Sequence, residues 1–461
     1  MSPQPAMTWK GRLIAFGVSA LLCIAILEGG ARIIDRDRSG IASMTLNLQP
    51  YMMFAAHPGK NLTWRNIETK QDIPSRMTFN NLGFMGSLDY TVPPNAAYFE
   101  TWAKKPGERL IAITGGSVVH GVGATSNDQT IAGQVEATLN ARQSTHKYRV
   151  INLGMGSWIA YQQFLGLSLF GLPLQPDWVI VMDGHNDAAV ACPHGSGPGN
   201  PMGWPQMLYL TGGGEGASRG PLLQWTLGNS ALARVVTGQP ASVQGTGRLG
   251  EVFFDEADPD KRFLVKMRGL TMRDLDRQVE FYLQAQNNVR QLFSGSNVLF
   301  STQPFLHDNA LSPWYRRAYD LEAPAADRQT ARATLKKELD DFIAKGGDTK
   351  CGHSVSAEAL AYFIGRSAMA LEGIVPAWTS GSAGRSIRYA NTEMVFPQDD
   401  PQRVPGFVDN AHMSDLGQRQ IAQYFAGFVL ETDLQIPFDV AAFARQAHAE
   451  ARAAAEKLPR P

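Results

Sequence analysis

The sequence predicts an α/β fold of three layers, a doubly wound parallel sheet covered by helices on both faces and interrupted by long insertions. Three observations predict it. Short runs such as residues 110–114 and 178–182 are apolar on consecutive positions, as strands buried on both faces are. Helical periodicity alternates with these runs: Ile131, Val135 and Leu139 recur every four residues after the first of them. Each run ends in a turn-forming segment, such as Gly115-Gly116-Ser117 after the first and Gly184-His185-Asn186-Asp187 after the second.

Taken in order, the chain opens with residues 13–27, an uncharged apolar stretch preceded by Lys10 and Arg12. Extended through Ile33 and Ile34 it reaches the roughly 20 residues that a membrane span needs, with Glu28 and Arg32 near the interface. Residues 1–34 are therefore expected to form a single-pass membrane anchor. A cleaved signal segment is the competing reading, since Gly29-Gly30-Ala31 offers a small-x-small site. Residues 35–108 carry Pro50, Pro58, Pro74, Pro93, Pro94 and Pro106 and read as an irregular stalk and lead-in. A catalytic-type domain is expected over 109–430 and a helical, Ala-rich, solvated tail over 431–461.

Within the large domain, 149–153 reads as a second strand and 161–169 as a helix. Leu275, Val279, Leu283 and Leu292 mark a long amphipathic helix leading into a strand at 297–302, which Gln303-Pro304 stops. Two stretches interrupt the alternation, near 190–265 and 305–400, and read as insertions over the carboxyl ends of the strands, where such sheets build binding sites.

Composition removes several function classes. Hydrophobic residues make up 44% and charged residues 18%, an ordinary globular balance that excludes wholesale disorder. Lys plus Arg and Asp plus Glu both count 42, so no net field recruits nucleic acid. Of the three cysteines, Cys23 lies in the anchor, leaving Cys192 and Cys351 either as one disulfide in an oxidising compartment or as two partly buried thiols.

Four segments carry chemistry. Ser117 follows a strand and opens a helix, which lifts its hydroxyl above the sheet edge. A phosphate-binding reading of the following Gly121-Val122-Gly123 fails, because no Gly-Lys-Ser/Thr completes a P-loop and position 126 is Ser where a dinucleotide fingerprint wants Gly or Ala. The second segment is the 152–158 stretch, Asn-Leu-Gly-Met-Gly-Ser-Trp, and the third contains Asn186. An Asn amide and backbone N–H groups at adjacent strand ends suit stabilisation of an oxyanion. In the fourth, Asp409 precedes His412 by three residues, so one tight turn lets the carboxylate orient an imidazole base. Ser414 then reads as the N-cap of a helix carrying Leu416, Ile421, Phe425 and Phe428.

In this order the four segments resemble the motif blocks of the SGNH (GDSL-like) hydrolase superfamily, over roughly residues 78–430. The lead-in at 80–86, Asn-Asn-Leu-Gly-Phe-Met-Gly, is similar to that of the membrane-anchored bacterial branch. The resemblance implies a flavodoxin-like sheet, Ser117 as nucleophile, His412 as base and Asp409 as its orienting partner. It implies an oxyanion hole of Asn186 and the N–H groups of Ser117 and Ser157, with no cofactor or metal. Two positions depart from the family pattern: Gly116 replaces the usual acid before the serine, and Ser157 stands where the family has Gly. His120 and His185 lie beside these blocks as pocket-lining residues, while Asp183 and Asp187 read as solvated or hydrogen-bonded loop residues rather than a cation site.

The implied activity is that of a serine esterase or O-acyltransferase acting on O-acetyl groups of an exported or cell-envelope polysaccharide. Its expected partners are an acylated glycan or other ester, the membrane, and polysaccharide-export proteins. The expected location is the bacterial inner membrane, with the catalytic domain in the periplasm or outside the cell. The alternative is a non-catalytic glycan-binding or assembly factor on the same scaffold, with its tryptophans as stacking faces.

Overall fold

The computed structural model describes residues 8–38, 46–49, 53–56, 63–65, 72–74, 77–80, 82–86, 104–142, 146–191, 230, 232, 236, 270–306, 312–344, 348–349, 357–382 and 384–457. Two compact units divide the chain, Met1–Leu46 with Gln206–Phe253 and Asn47–Pro205 with Phe254–Pro461. Cys192, Cys351 and almost all of the 190–265 insertion lie outside the described residues.

The first unit contains α1 (Trp9–Arg38), a 30-residue helix. Its Phe16, Leu21, Leu22, Ile24, Ile26 and Leu27 are exposed, and the window Ala15–Arg32 is long and apolar enough to cross a membrane. The two charges within that window, Glu28 and Arg32, are paired. Glu28 accepts from Arg32 Nε at 3.0 Å on one oxygen and from the Ser230 hydroxyl at 2.8 Å and Leu232 N–H at 3.1 Å on the other.

The second unit is built on five parallel strands: β1 (Glu108–Gly115), β2 (Lys147–Asn152), β3 (Trp178–Asp183), β4 (Asn297–Thr302) and β5 (Ile387–Asn391). Their order across the sheet is β5-β4-β3-β1-β2, so the chain switches direction of winding between β1 and β3. Open α/β sheets bind ligands at the carboxyl side of that switch. Register aligns the strand ends that matter: Ile113 pairs with Asn152, Gly115 with Met182 and Asp183 with Thr302.

Both sheet faces are covered, which is why the strands are apolar on consecutive residues. On one face Ile111, Ile113, Ile180, Met182 and Leu299 pack with residues of α3 (Ile131–Asn140) and α10 (Asp415–Leu434) in a single core cluster. On the other lie α4 (Ala160–Gly166), α5 (His185–Ala191), α6 (Met272–Leu292) and α9 (Ala357–Ser380), packed against one another, with α9 also against β4 and β5. The amphipathic stripe of α6 is buried through Leu275, Val279 and Tyr282. Two further helices, α7 (Ser312–Tyr319) and α8 (Ala325–Ala344), pack together beside α9.

Three sequence expectations need revising. The 35–108 lead-in is not irregular throughout, because Leu46–Gln49 pairs with Met53–Ala56 and Thr63–Arg65 with Asp72–Pro74. The 305–400 stretch is not wholly an insertion, because it supplies the edge strand β5; the five-residue strand is only partly apolar, with Arg388 and Tyr389 half-buried, and so lacks the signal of the central strands. The tail helix α11 (Val440–Ala455) is not solvated all round. Ala444, Ala447, His448 and Ala451 are buried, and His448 Nε2 donates to the Met394 carbonyl at 3.0 Å. Small side chains let that face approach closely, which an Ala-rich composition conceals.

Candidate active site

Ser117 opens α2 (Ser117–His120), one residue beyond Gly116 and the end of β1. Glycine at 115 is required by space: a Cβ there would lie 2.2 Å from the Met182 carbonyl oxygen and 2.4 Å from Val119 Cγ2. At the first helical position the Ser117 N–H has no intrahelical acceptor. The helix ends after one turn at Gly121, which is left-handed with φ 107°. Gly123 comes so close to the fourth segment that a Cβ would sit 2.3 Å from the Met413 carbonyl oxygen. The 121–123 glycines thus serve turn geometry and close packing.

The fourth segment is a tight hairpin. Phe407 bridges Met413, and Val408 N–H donates to the His412 carbonyl at 2.9 Å. At its tip the Asp409 Oδ1 accepts the N–H groups of Ala411 (2.8 Å) and His412 (2.7 Å), an Asx-type turn that fixes the carboxylate. The loop after β4 holds the tip: Leu306 N–H donates to the Asn410 carbonyl at 2.8 Å and Gln303 Nε2 to that of Ala411 at 3.0 Å. That loop is tied in turn by a buried cluster, in which Arg403 binds Glu393 at 2.5 Å and the Phe305 carbonyl at 2.8 Å, and Arg316 binds the Leu306 carbonyl at 2.7 Å. Ser414 then caps α10, accepting from Gly417 N–H.

These placements put three side chains in a line. His412 Nε2 lies 2.8 Å from Ser117 Oγ, and His412 Nδ1 lies 2.7 Å from Asp409 Oδ2. Burial alone would raise the Asp409 carboxyl, but the hydrogen bond and charge of His412 and the two backbone N–H groups hold it below its ordinary range. It is therefore ionised at neutral pH, and Nδ1 of His412 carries the proton that faces it. Nε2 is left as the acceptor for the serine hydroxyl.

The second and third segments stand at the ends of β2 and β3. Asn186, on the first turn of α5, donates from Nδ2 to the Trp158 carbonyl at 2.9 Å. A Cβ on Gly116 would lie only 2.7 Å from that same nitrogen. The departure at position 116 thus leaves room for the amide beside Ser117. Ser157 has φ 64°, in the left-handed region that glycine prefers. The loop around it is tied down by Met155 N–H to the Gly115 carbonyl (3.0 Å) and by Asn152, which accepts from Gly154 N–H and donates to the Val119 carbonyl, both at 2.8 Å.

Four features noted in the sequence have surroundings that the motifs did not announce. His120 is fully buried against Phe79, and its Nδ1 lies 3.3 Å from the Gly156 nitrogen. The lead-in, whose Asn80 caps its own turn through Leu82 and Phe84 N–H, sets Phe84 edge-on to Trp158. Half-buried His185 is pushed down to about 4 by burial and by the nearness of His412, with Asp409 acting the other way, so it is neutral. Asp183 and Asp187 are buried rather than solvated. Burial raises both carboxyls, and the charge of Asp183 adds to the rise at Asp187. Asp183 accepts from Gln286, while Asp187 accepts the Ala160 N–H at the start of α4. Among the described residues no cluster of three or more His, Cys, Asp or Glu could hold a metal ion.

No family model matches the chain, and no curated protein matches it. Solved structures do. The acetyl xylan esterase AlAXEase is 13% identical over 69% of this chain and 99% of its own, with a TM-score of 0.26. The acetylxylan esterase Axe2 from Geobacillus stearothermophilus is 11% identical over 71% of this chain and 94% of its own, at 0.32. An active-site mutant of a family two carbohydrate esterase from Clostridium thermocellum is 11% identical over 72% of this chain and 66% of its own, at 0.28. Likeness at these values does not bear on function, and the fold rests on the strand order and register given above.

Proposed function

We propose that the chain is a serine esterase of the SGNH type that works through an acyl-serine intermediate. The observation that carries this is the hydrogen-bonded line Asp409–His412–Ser117 at the carboxyl edge of the sheet. His412 Nε2 takes the Ser117 proton as Oγ bonds to the ester carbonyl carbon, and the carbonyl oxygen becomes an oxyanion. The Asn186 amide and the N–H groups of Ser117 and Ser157 are assigned to that oxyanion. Collapse breaks the bond to the alcohol, which leaves with the proton from His412. Water or a sugar hydroxyl then gives its proton to His412, attacks the acyl carbon and releases Ser117.

O-acetyl groups of an exported or cell-envelope glycan are the proposed substrate, and α1 is proposed to anchor the enzyme in the bacterial inner membrane with its catalytic unit outside the cytoplasm. The length and apolar exposure of α1 support that placement. Acetate release from acetylated xylan and from the acetylated exopolysaccharide of the source cell tests the substrate, with and without a deacetylated glycan acceptor. Release that requires Ser117 supports the esterase, and acetyl transfer outrunning release when acceptor is added makes it a transferase. A folded chain that binds either glycan but never cleaves it contradicts both.

A further inference from the structure

We propose that His120 is a positioning residue for the oxyanion side of the site, its Nδ1 holding the Gly156 N–H and so fixing the turn that aims the Ser157 N–H. The inference rests on the esterase reading.

His120 closes α2, three residues after Ser117, and is fully buried. Its Nδ1 accepts the Gly156 N–H at 3.3 Å, which places the imidazole proton on Nε2. That Nε2 is buried and has no partner among the described residues. A buried N–H left unpaired is a cost that Leu or Phe would not incur at the same position. Packing against Phe79 therefore does not account for an imidazole here, whereas the bond to Gly156 does.

What that bond holds is specific. Trp158 N–H donates to the Met155 carbonyl at 3.2 Å, closing a four-residue turn. Ser157 has φ 64°, and Gly156 is not among the residues with positive φ, the pattern of a type II turn. The third position of such a turn favours Gly or Asn, so a serine there needs support from outside the turn. Met155 is held by Gly115 and Ala160 by Asp187; His120 supplies the anchor inside the turn, next to the peptide that carries the Ser157 N–H. Among the described residues that N–H has no acceptor, which leaves it available to a developing oxyanion. Burial holds the His120 ring down to about 3, so it remains a neutral acceptor throughout the range in which an esterase would be assayed.

The test is steady-state hydrolysis of 4-nitrophenyl acetate by the full chain in detergent, for wild type and three variants. Asn offers an acceptor near the position of Nδ1, Gln places it near Nε2, and Leu offers none. His120→Leu and His120→Gln should lower kcat by about 10- to 100-fold with KM changed by less than about threefold, and His120→Asn should stay within about threefold of wild type. If His120→Leu does not fold, the Asn and Gln pair carries the test. An active wild type whose Leu or Gln variant keeps its kcat, or whose Asn variant falls as far as Gln, overturns the role of His120 alone. A wild type with no esterase activity overturns the esterase reading and this role with it.

Discussion

A serine hydroxyl is a weak nucleophile, and at Ser117 three features act on it together: the fixed Nε2 of His412, the ionised Asp409 behind it, and an amide beside it. Asn186 is the most informative residue of the group. Its NH2 has two hydrogens, and only one is needed for the Trp158 carbonyl. In the proposed mechanism the other meets the charge that appears on a substrate oxygen, an interaction made in the transition state and not before. Asn186→Ala is accordingly expected to lower kcat by roughly 10² to 10³ while leaving KM within a few-fold. Stopped assays over a range of ester concentrations would measure both constants, and a loss confined to KM would show that Asn186 binds the ground state only.

At the scale of elements, the β3–α5 connection carries the half-buried Asn186 amide, proposed to meet the oxyanion, and two buried carboxyls beside it. Asp183 and Asp187 are raised by burial, so the folded state holds protons that the unfolded chain, with ordinary values near about 4, has released. Stability from this pair is therefore present at low pH and falls as pH rises from the carboxylate range through the raised values. Asp183→Asn keeps an acceptor for Gln286 and carries no charge, so its unfolding free energy at pH 8 should exceed that of wild type by on the order of 1 to 3 kcal/mol, seen as a higher melting temperature, and by less at pH 5. A difference in melting that does not change between those pH values would contradict the buried-acid account. Motif reading located this connection but not its burial, because Asp183's partner Gln286 comes from α6, about a hundred residues later in the sequence.

Across the whole molecule, Ser117 and His412 meet over 295 positions of sequence. Much of what brings them together is legible in the sequence: the consecutive apolar runs mark β1, β3 and β4, and the first three segments stand at the ends of β1, β2 and β3, while the fourth stands in a hairpin before α10 rather than at a strand end. What was not legible is long-range and polar. The loop after β4 holds the His412 hairpin through Gln303 and Leu306, and a buried Arg403–Glu393–Arg316 cluster holds that loop. Thr125 bonds Asp415 and Ile131 N–H bonds Gln418, tying α10 to the segment after Ser117. None of these pairings has a local periodicity or spacing that would announce it. The central claim is that this scaffold makes Ser117 nucleophilic through His412. It is tested most directly by fluorophosphonate labelling of the folded chain, read by intact mass and site mapping. The account predicts one label, on Ser117, slowed by roughly 10³ or more in His412→Ala and abolished in Ser117→Ala. Labelling of a different serine, or labelling of Ser117 at an unchanged rate in His412→Ala, would contradict it.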